Sequence, residues 1–150
     1  MAKATSRASN NPYKKKGSII GLEQGKIPPQ AVELEEAVLG ALMIDKNALN
    51  EVIDILESEC FYKDAHREIY SAIKTLFTES QPIDMLTVST MLRKNGKLEL
   101  CGGDYGIANL TQKVASSAHI EYHARIIVQK HIQNHEKNIK NHIFVHQIIN

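Results

Sequence analysis

The stretch IPPQAVELEEAVLGALMID, residues Ile27–Asp45, decides how the chain is to be read. Pro29 suits the first position of a helix, because it has no N–H to leave unpaired there. Leu34, Val38, Ala41 and Leu42 then recur at helical spacing. Residues 37–44 are so apolar that the helix should be nearly surrounded by other elements. Glu33, Glu35 and Glu36 stand near its start. An acid–base pair needs two groups converging on one pocket, with environments that separate their pKa values. Adjacent Glu35 and Glu36 instead diverge by about 100° on a helix. Acids in the first turns are favoured by the positive end of the helix dipole, by ~0.3–1 kcal/mol each when exposed. The three glutamates are therefore read as structural.

Outward from this helix the pattern stays helical. Asp45 can stop the first helix and cap a second, with Leu49, Val52, Ile53 and Leu56 as its apolar positions. A third is expected over Asp64–Thr78, with Ala65, Ile69, Ile73, Leu76 and Phe77 on one side and Phe61 and Tyr62 leading in. SQPID is a loop, and Asp84 is a good cap for a fourth helix carrying Leu86, Val88, Met91 and Leu92. Gly96 offers that helix a left-handed ending, after Arg93 and Lys94 in its last turn. KLELC alternates like a strand but has no partner and runs into Gly102-Gly103, so it is a connection. A fifth helix is expected from about Asp104 to Val114, with Tyr105, Ala108 and Leu110. A sixth, AHIEYHARIIVQKHI, follows Ser116-Ser117. The fold class is all-α, a small bundle of about six helices.

The sixth helix has two apolar sides. Ile120, Ala124, Ile127 and Val128 make one, and Tyr122 and Ile126 make the other. Glu121 and Arg125 form an i,i+4 ion pair between them. Such a helix can pack on its own core with one side and on a partner with the other. Tyr122, Ile126, Glu121 and Arg125 are therefore the candidate interface residues.

Composition agrees with aliphatic helix packing: 43% of the 150 residues are apolar, but aromatics are only 5% and Trp is absent. The net charge of +1 conceals an asymmetry. Residues 1–26 read as a disordered basic arm with Lys3, Arg7, Lys14, Lys15 and Lys16 in its first part. Cys60 and Cys101 have no metal or redox spacing and fit a reducing cytosol. No apolar run suggests a signal peptide or membrane span. Residues 133–150 change character toward Asn, His, Lys and Ile; Ile139, Ile143, Phe144 and Ile148 could still make a helical stripe, which Asn138 and Asn141 weaken.

No catalytic, cofactor or metal site is expected. GxxxxGK[ST] and GxGxxG are absent, and CGGDYG lacks the lysine and preceding strand of a phosphate loop. His119/His123, His131/His135 and His142/His146 have the i,i+4 spacing that can put two imidazoles on one zinc ion. HExxH is absent, and no acid or cysteine is placed to complete a tetrahedral set. Such a chain reads as an interaction domain.

The segments IPPQAVELEEAVLGALMID, FYKDAHREIYSAI, PIDMLTVSTMLRKNGKLELCGGDYGIANL and SSAHIEYHARIIVQKHI, roughly residues 27–132, resemble the N-terminal domain of the DnaB-type replicative DNA helicases. The resemblance implies a bundle over 27–115 and the first arm of a helical hairpin beginning at 116–132. In that family hairpins pair in dimers, three of which form the collar of a hexameric ring around single-stranded DNA. The collar docks primase, and a helicase loader is a further partner. Glu33, Glu35 and Glu36 become candidates for solvent or subunit contacts in such a collar. The family's ATP- and Mg-binding motor lies in a separate RecA-like domain, whose motifs do not occur in these residues. The sequence departs from the family beyond about His131, where an Arg-, Glu- and Ala-rich helix is replaced by the atypical tail.

Three functions follow as expectations: a collar domain acting through self-association and partner docking, with DNA contacted only indirectly; a stand-alone regulator that joins or caps a full-length helicase ring; and a small metal- or nucleic-acid-binding protein using the histidine tail and basic arm. The first implies a place in the cytoplasmic replication machinery of a bacterium, phage or plasmid, with no membrane contact.

Overall fold

The structure, a computed structural model, describes residues 29–114 and 116–149. The predicted basic arm lies outside the described residues. Among the described residues six helices follow in order: α1 (Pro29–Ile44), α2 (Ala48–Val52), α3 (Asp64–Thr78), α4 (Met85–Lys94), α5 (Gly103–Gln112) and α6 (Ile120–Ile149). A single 3₁₀ turn spans Ser58–Cys60, and no strand occurs among the described residues. The all-α expectation therefore holds.

α1 is the central element, packed against α3, α5 and α6. Its apolar body explains why: Val38, Leu39, Ala41, Leu42 and Met43 are all buried, and only terminal Ile44 is exposed. Gly40 sets the approach of α5. A Cβ there would stand 2.2 Å from the Leu110 carbonyl oxygen and 2.6 Å from Val114 Cγ2. The two helices meet backbone to backbone because this residue has no side chain.

α3 has the bounds its sequence predicts, and buries Ile69, Tyr70, Ile73 and Leu76. Phe61 packs beneath it, its ring centre 5.1 Å from that of Tyr70. The Tyr70 hydroxyl donates to the Leu56 carbonyl at 3.0 Å, so the buried phenol is satisfied. α4 begins with a capping box: Asp84 accepts from the Thr87 N–H at 2.8 Å, and the Asp84 N–H donates to the Thr87 hydroxyl at 3.0 Å. It ends in a Schellman turn, with Lys97 N–H on Leu92 O at 2.8 Å and Gly96 N–H on Arg93 O at 3.1 Å. Gly96 supplies the left-handed residue, φ 69°. α3 ends in the same way, but there the left-handed position is Ser80, φ 54°.

KLELC is a series of turns, with Leu98 and Cys101 inward and Leu100 outward. Several apolar assignments change. Leu86 and Tyr105, named among the apolar positions of their helices, are 71% and 82% exposed, and Phe77 lies at the surface. Ile107 takes the core place in α5. α2 stops at Val52, yet Leu56 remains buried.

The largest departure is at the end. α6 is one helix of 30 residues that continues through the predicted change of character at 132–133. Once its first turns are anchored, each further residue adds a hydrogen bond without a new nucleation cost. No Gly or Pro interrupts the sequence from Ile120 onward. The four apolar residues proposed as a stripe, Ile139, Ile143, Phe144 and Ile148, fan over roughly 180° at 100° per residue. All four are exposed.

Candidate interaction site

α6 docks on α1 and α2 through Ile120, Ala124 and Ile127, all buried, with Val128 partly buried beside them. Ser117, just ahead of the helix, donates its hydroxyl to Asp45 Oδ2 at 2.7 Å. Asp45 Oδ1 accepts the Asn47 N–H at 2.9 Å. These two bonds, the Asn47 one first, hold the Asp45 carboxyl below the usual carboxylate range. One aspartate thus joins the α1–α2 corner to the start of α6.

The opposite side of α6 carries the residues that the sequence reading names as interface candidates. Tyr122 and Ile126 lie about 160° round the helix from Ala124. Tyr122 is 65% exposed and Ile126 is half-buried. Glu121 Oε1 accepts from Arg125 Nη2 at 2.7 Å and from Nε at 3.1 Å. Both residues are exposed, and such a pair contributes only about 0.3–0.5 kcal/mol to the helix. Its geometric effect is to hold the guanidinium along the helix between the two apolar sides. Arg125 also borders a shallow open groove in which Ile55, Val128 and Ile132 form the apolar floor. A smaller cleft of about 120 Å³ lies between α1 and α6, near Val38, Val114 and Ile120. That is well below the roughly 300–1,000 Å³ of a small-molecule site.

The glutamates of α1 separate. Glu33 is exposed, and Glu36 accepts from Lys113 Nζ of the α5 end at 2.6 Å. Glu35 corrects the sequence reading, because it makes neither a solvent nor a subunit contact. It is 3% exposed; one carboxylate oxygen accepts the Tyr62 N–H at 2.6 Å, and the other pairs with His66 Nδ1 at 2.6 Å. His66 is buried too. The signal was present: Glu35, Val38, Leu39 and Leu42 have i, i+3, i+4 and i+7 spacing, which puts the glutamate on the core stripe. Neither Glu35 nor His66 lines either cleft just described. The pair clamps α1 to the chain entering α3.

The histidine pairs are placed on or near α6. His131/His135 and His142/His146 lie within it, with ring centres 6.2 and 5.8 Å apart. His119 precedes the helix and His123 lies in its first turn. Among the described residues, no group of three or more His, Cys, Asp or Glu is placed to hold a metal ion. Cys60 and Cys101 are unpaired thiols. Burial, with a smaller contribution from Glu68, pushes Cys101 up to about 11. No helix among the described residues is long and apolar enough to cross a membrane.

Comparison with known proteins agrees with this architecture. Residues 27–129 match the family model described as the DnaB-like helicase N terminal domain. The replicative DNA helicase DnaB of Rhodothermus marinus is 47% identical over 108 residues, covering 72% of this chain and 12% of that protein. Its counterpart from Geobacillus stearothermophilus is 38% identical over 107 residues, covering 71% of this chain and 24% of that protein. The chain thus spans a quarter or less of the length of these relatives. The crystal structure of the N-terminal domain of DnaB helicase from Mycobacterium tuberculosis superposes with a TM-score of 0.77 at 29% identity. That match covers 81% of this chain and 88% of the other.

Proposed function

Because the chain belongs to the DnaB-like helicase N terminal domain family, we propose that residues 29–149 form an oligomerisation and partner-docking domain of a replicative DNA helicase, working in the bacterial-type cytoplasm. The observation that carries this reading is α6: one side is buried in the bundle, and the other presents Tyr122 and Ile126 beside the Glu121–Arg125 pair. An exposed tyrosine next to an aliphatic residue and a braced guanidinium has the composition of an interface centre, where Tyr and Arg dominate the binding energy. The partner is first a second copy of the same domain, and through it a helicase ring. The role assigned to these residues is contact, with no part in ATP turnover.

The test is self-association of the chain by sedimentation velocity over a range of concentrations. Replacing Tyr122 and Ile126 together with Ser should weaken association tenfold or more, as expected for two interface-centre residues. Helix content should stay unchanged, since neither side chain is in the core. A double variant as oligomeric as the parent would refute this interface.

A further inference from the structure

We infer that the exposed half of α6 carries two separate sites for a first-row divalent metal ion that favours imidazole, such as nickel, copper or zinc: one at His131/His135 and one at His142/His146. The helix is continuous across both pairs. Spacing of i,i+4 brings side chains together only on helical backbone, and both pairs lie within Ile120–Ile149. The rings of each pair already lie side by side, at centre-to-centre distances of 6.2 and 5.8 Å. Metal–nitrogen bonds of about 2.0–2.1 Å put two imidazoles sharing one ion at ring-centre distances of roughly 5 Å. A small rotation about χ1 and χ2 closes the remaining distance. His135, His142 and His146 are exposed and His131 is half-buried, so at least one ring of each pair is free to turn.

The four histidines also share one side of the helix. At 100° per residue they fall within an arc of about 60°. That arc prolongs the line of Ile120, Ala124 and Ile127, which faces the core lower down. Lys130, Lys137 and Lys140 lie on other sides of the helix, so the side chains of these cations point away from the histidine stripe. His131 and His142 are about 16 Å apart along the axis at 1.5 Å per residue, too far for one ion to take both pairs. Each pair offers two nitrogens, and water fills the other positions. Imidazole suits nickel, copper and zinc, with copper(II) bound most tightly of the three. No third protein ligand is required for such a site.

The experiment is calorimetric titration of the full chain with NiCl₂ in a non-coordinating buffer, with the histidine ring resonances followed by NMR. The expected result is two ions per chain. The variants His131→Ala/His135→Ala and His142→Ala/His146→Ala should each keep one, and the quadruple variant none. His119→Ala/His123→Ala should keep two, since that pair straddles the helix start. Alanine favours an exposed helix, so circular dichroism should show these variants folded. Two ions retained by the quadruple variant, or none bound by the parent chain, would overturn the inference. So would loss of both ions on removing either pair. These readouts do not depend on self-association, so they can fail while the collar reading stands.

Discussion

Glu35→Ala tests the buried clamp between α1 and the chain entering α3. The substitution leaves the Tyr62 N–H and His66 Nδ1 without their 2.6 Å partner, in a place where Glu35 and His66 are 3% and 4% exposed. A buried polar group deprived of its partner costs about 1–3 kcal/mol. The Tyr62 N–H is only part-buried and belongs at the low end of that range. The two together give a loss of about 2–4 kcal/mol, overlapping the roughly 3–5 kcal/mol lost when one member of a buried pair is removed. Against a total stability of about 5–15 kcal/mol this is a large fraction. With a urea dependence of about 2 kcal/mol per molar, the middle of the usual range, the unfolding midpoint should fall by about 1–2 M. The assay is urea unfolding followed by ellipticity at 222 nm, on Glu35→Ala, His66→Ala and the double variant. The two single losses should sum to more than the double loss, because removing both partners leaves only the Tyr62 N–H orphaned. Glu35→Gln keeps a carbonyl for Tyr62 and should lose less than Glu35→Ala. A Glu35→Ala loss below about 0.5 kcal/mol, or single losses that simply add, would show that the pair does not couple the two elements.

Gly40→Ala should lower stability by about 1–3 kcal/mol, the usual cost of overpacking, because its Cβ meets the Leu110 carbonyl at 2.2 Å; an unchanged melting temperature would mean α1 and α5 do not meet there. Ser80→Gly should raise stability by up to about 1 kcal/mol, since an L residue at φ 54° carries a strain that glycine does not; thermal melting reads the gain. Cys101 should react with iodoacetamide far more slowly than Cys60 at pH 8, because burial holds its thiol protonated up to about 11. The same shift makes stability fall as pH rises from the ordinary value of 9.0 toward about 11: over that window the unfolded chain releases the proton and the folded chain keeps it. Equal labelling of the two cysteines in the folded chain would contradict this.

The sequence was most legible where local rules and packing agree. Asp84 and Gly96 announce the two ends of α4 because a capping side chain and a left-handed residue act on the nearest few backbone groups. Ile69, Ile73 and Leu76 announce the core side of α3 by spacing alone. Glu35 was legible by the same spacing, but its charge argued for the surface, and its partner His66 comes from 31 residues away. Tyr105 and Leu86 show the opposite limit. Both are apolar in character and both are exposed, because hydrophobicity constrains what the core contains and not what the surface excludes. The two-sided character of α6 was visible from its pattern, whereas its length was not. Asn and β-branched residues lower helix propensity, but only by fractions of a kcal/mol each, and an anchored helix can carry them.

That length changes what α6 can do. Its 30 residues span about 45 Å at 1.5 Å per residue. The fully buried positions of α6 end at Ile127, and the part-buried ones, Val128, His131 and Asn134, end at Asn134, so about the last half of the helix projects past the bundle. A helix of that kind is marginal in water without tertiary packing, and this one exposes Ile132, Ile139, Ile143 and Phe144. Two contributions act on it from different places. Partner contacts at Tyr122 and Ile126 would hold its base. Metal ions across His131/His135 and His142/His146 would each bridge one turn of its exposed half and oppose fraying. Nickel should therefore slow amide exchange in residues 131–146 of the parent chain and leave the quadruple histidine variant unaffected, while the Tyr122/Ile126 double variant should keep the nickel effect in full. Protection by nickel that disappears in the Tyr122/Ile126 variant would mean that the ion acts through assembly, and the two-imidazole sites would then be the wrong account of it.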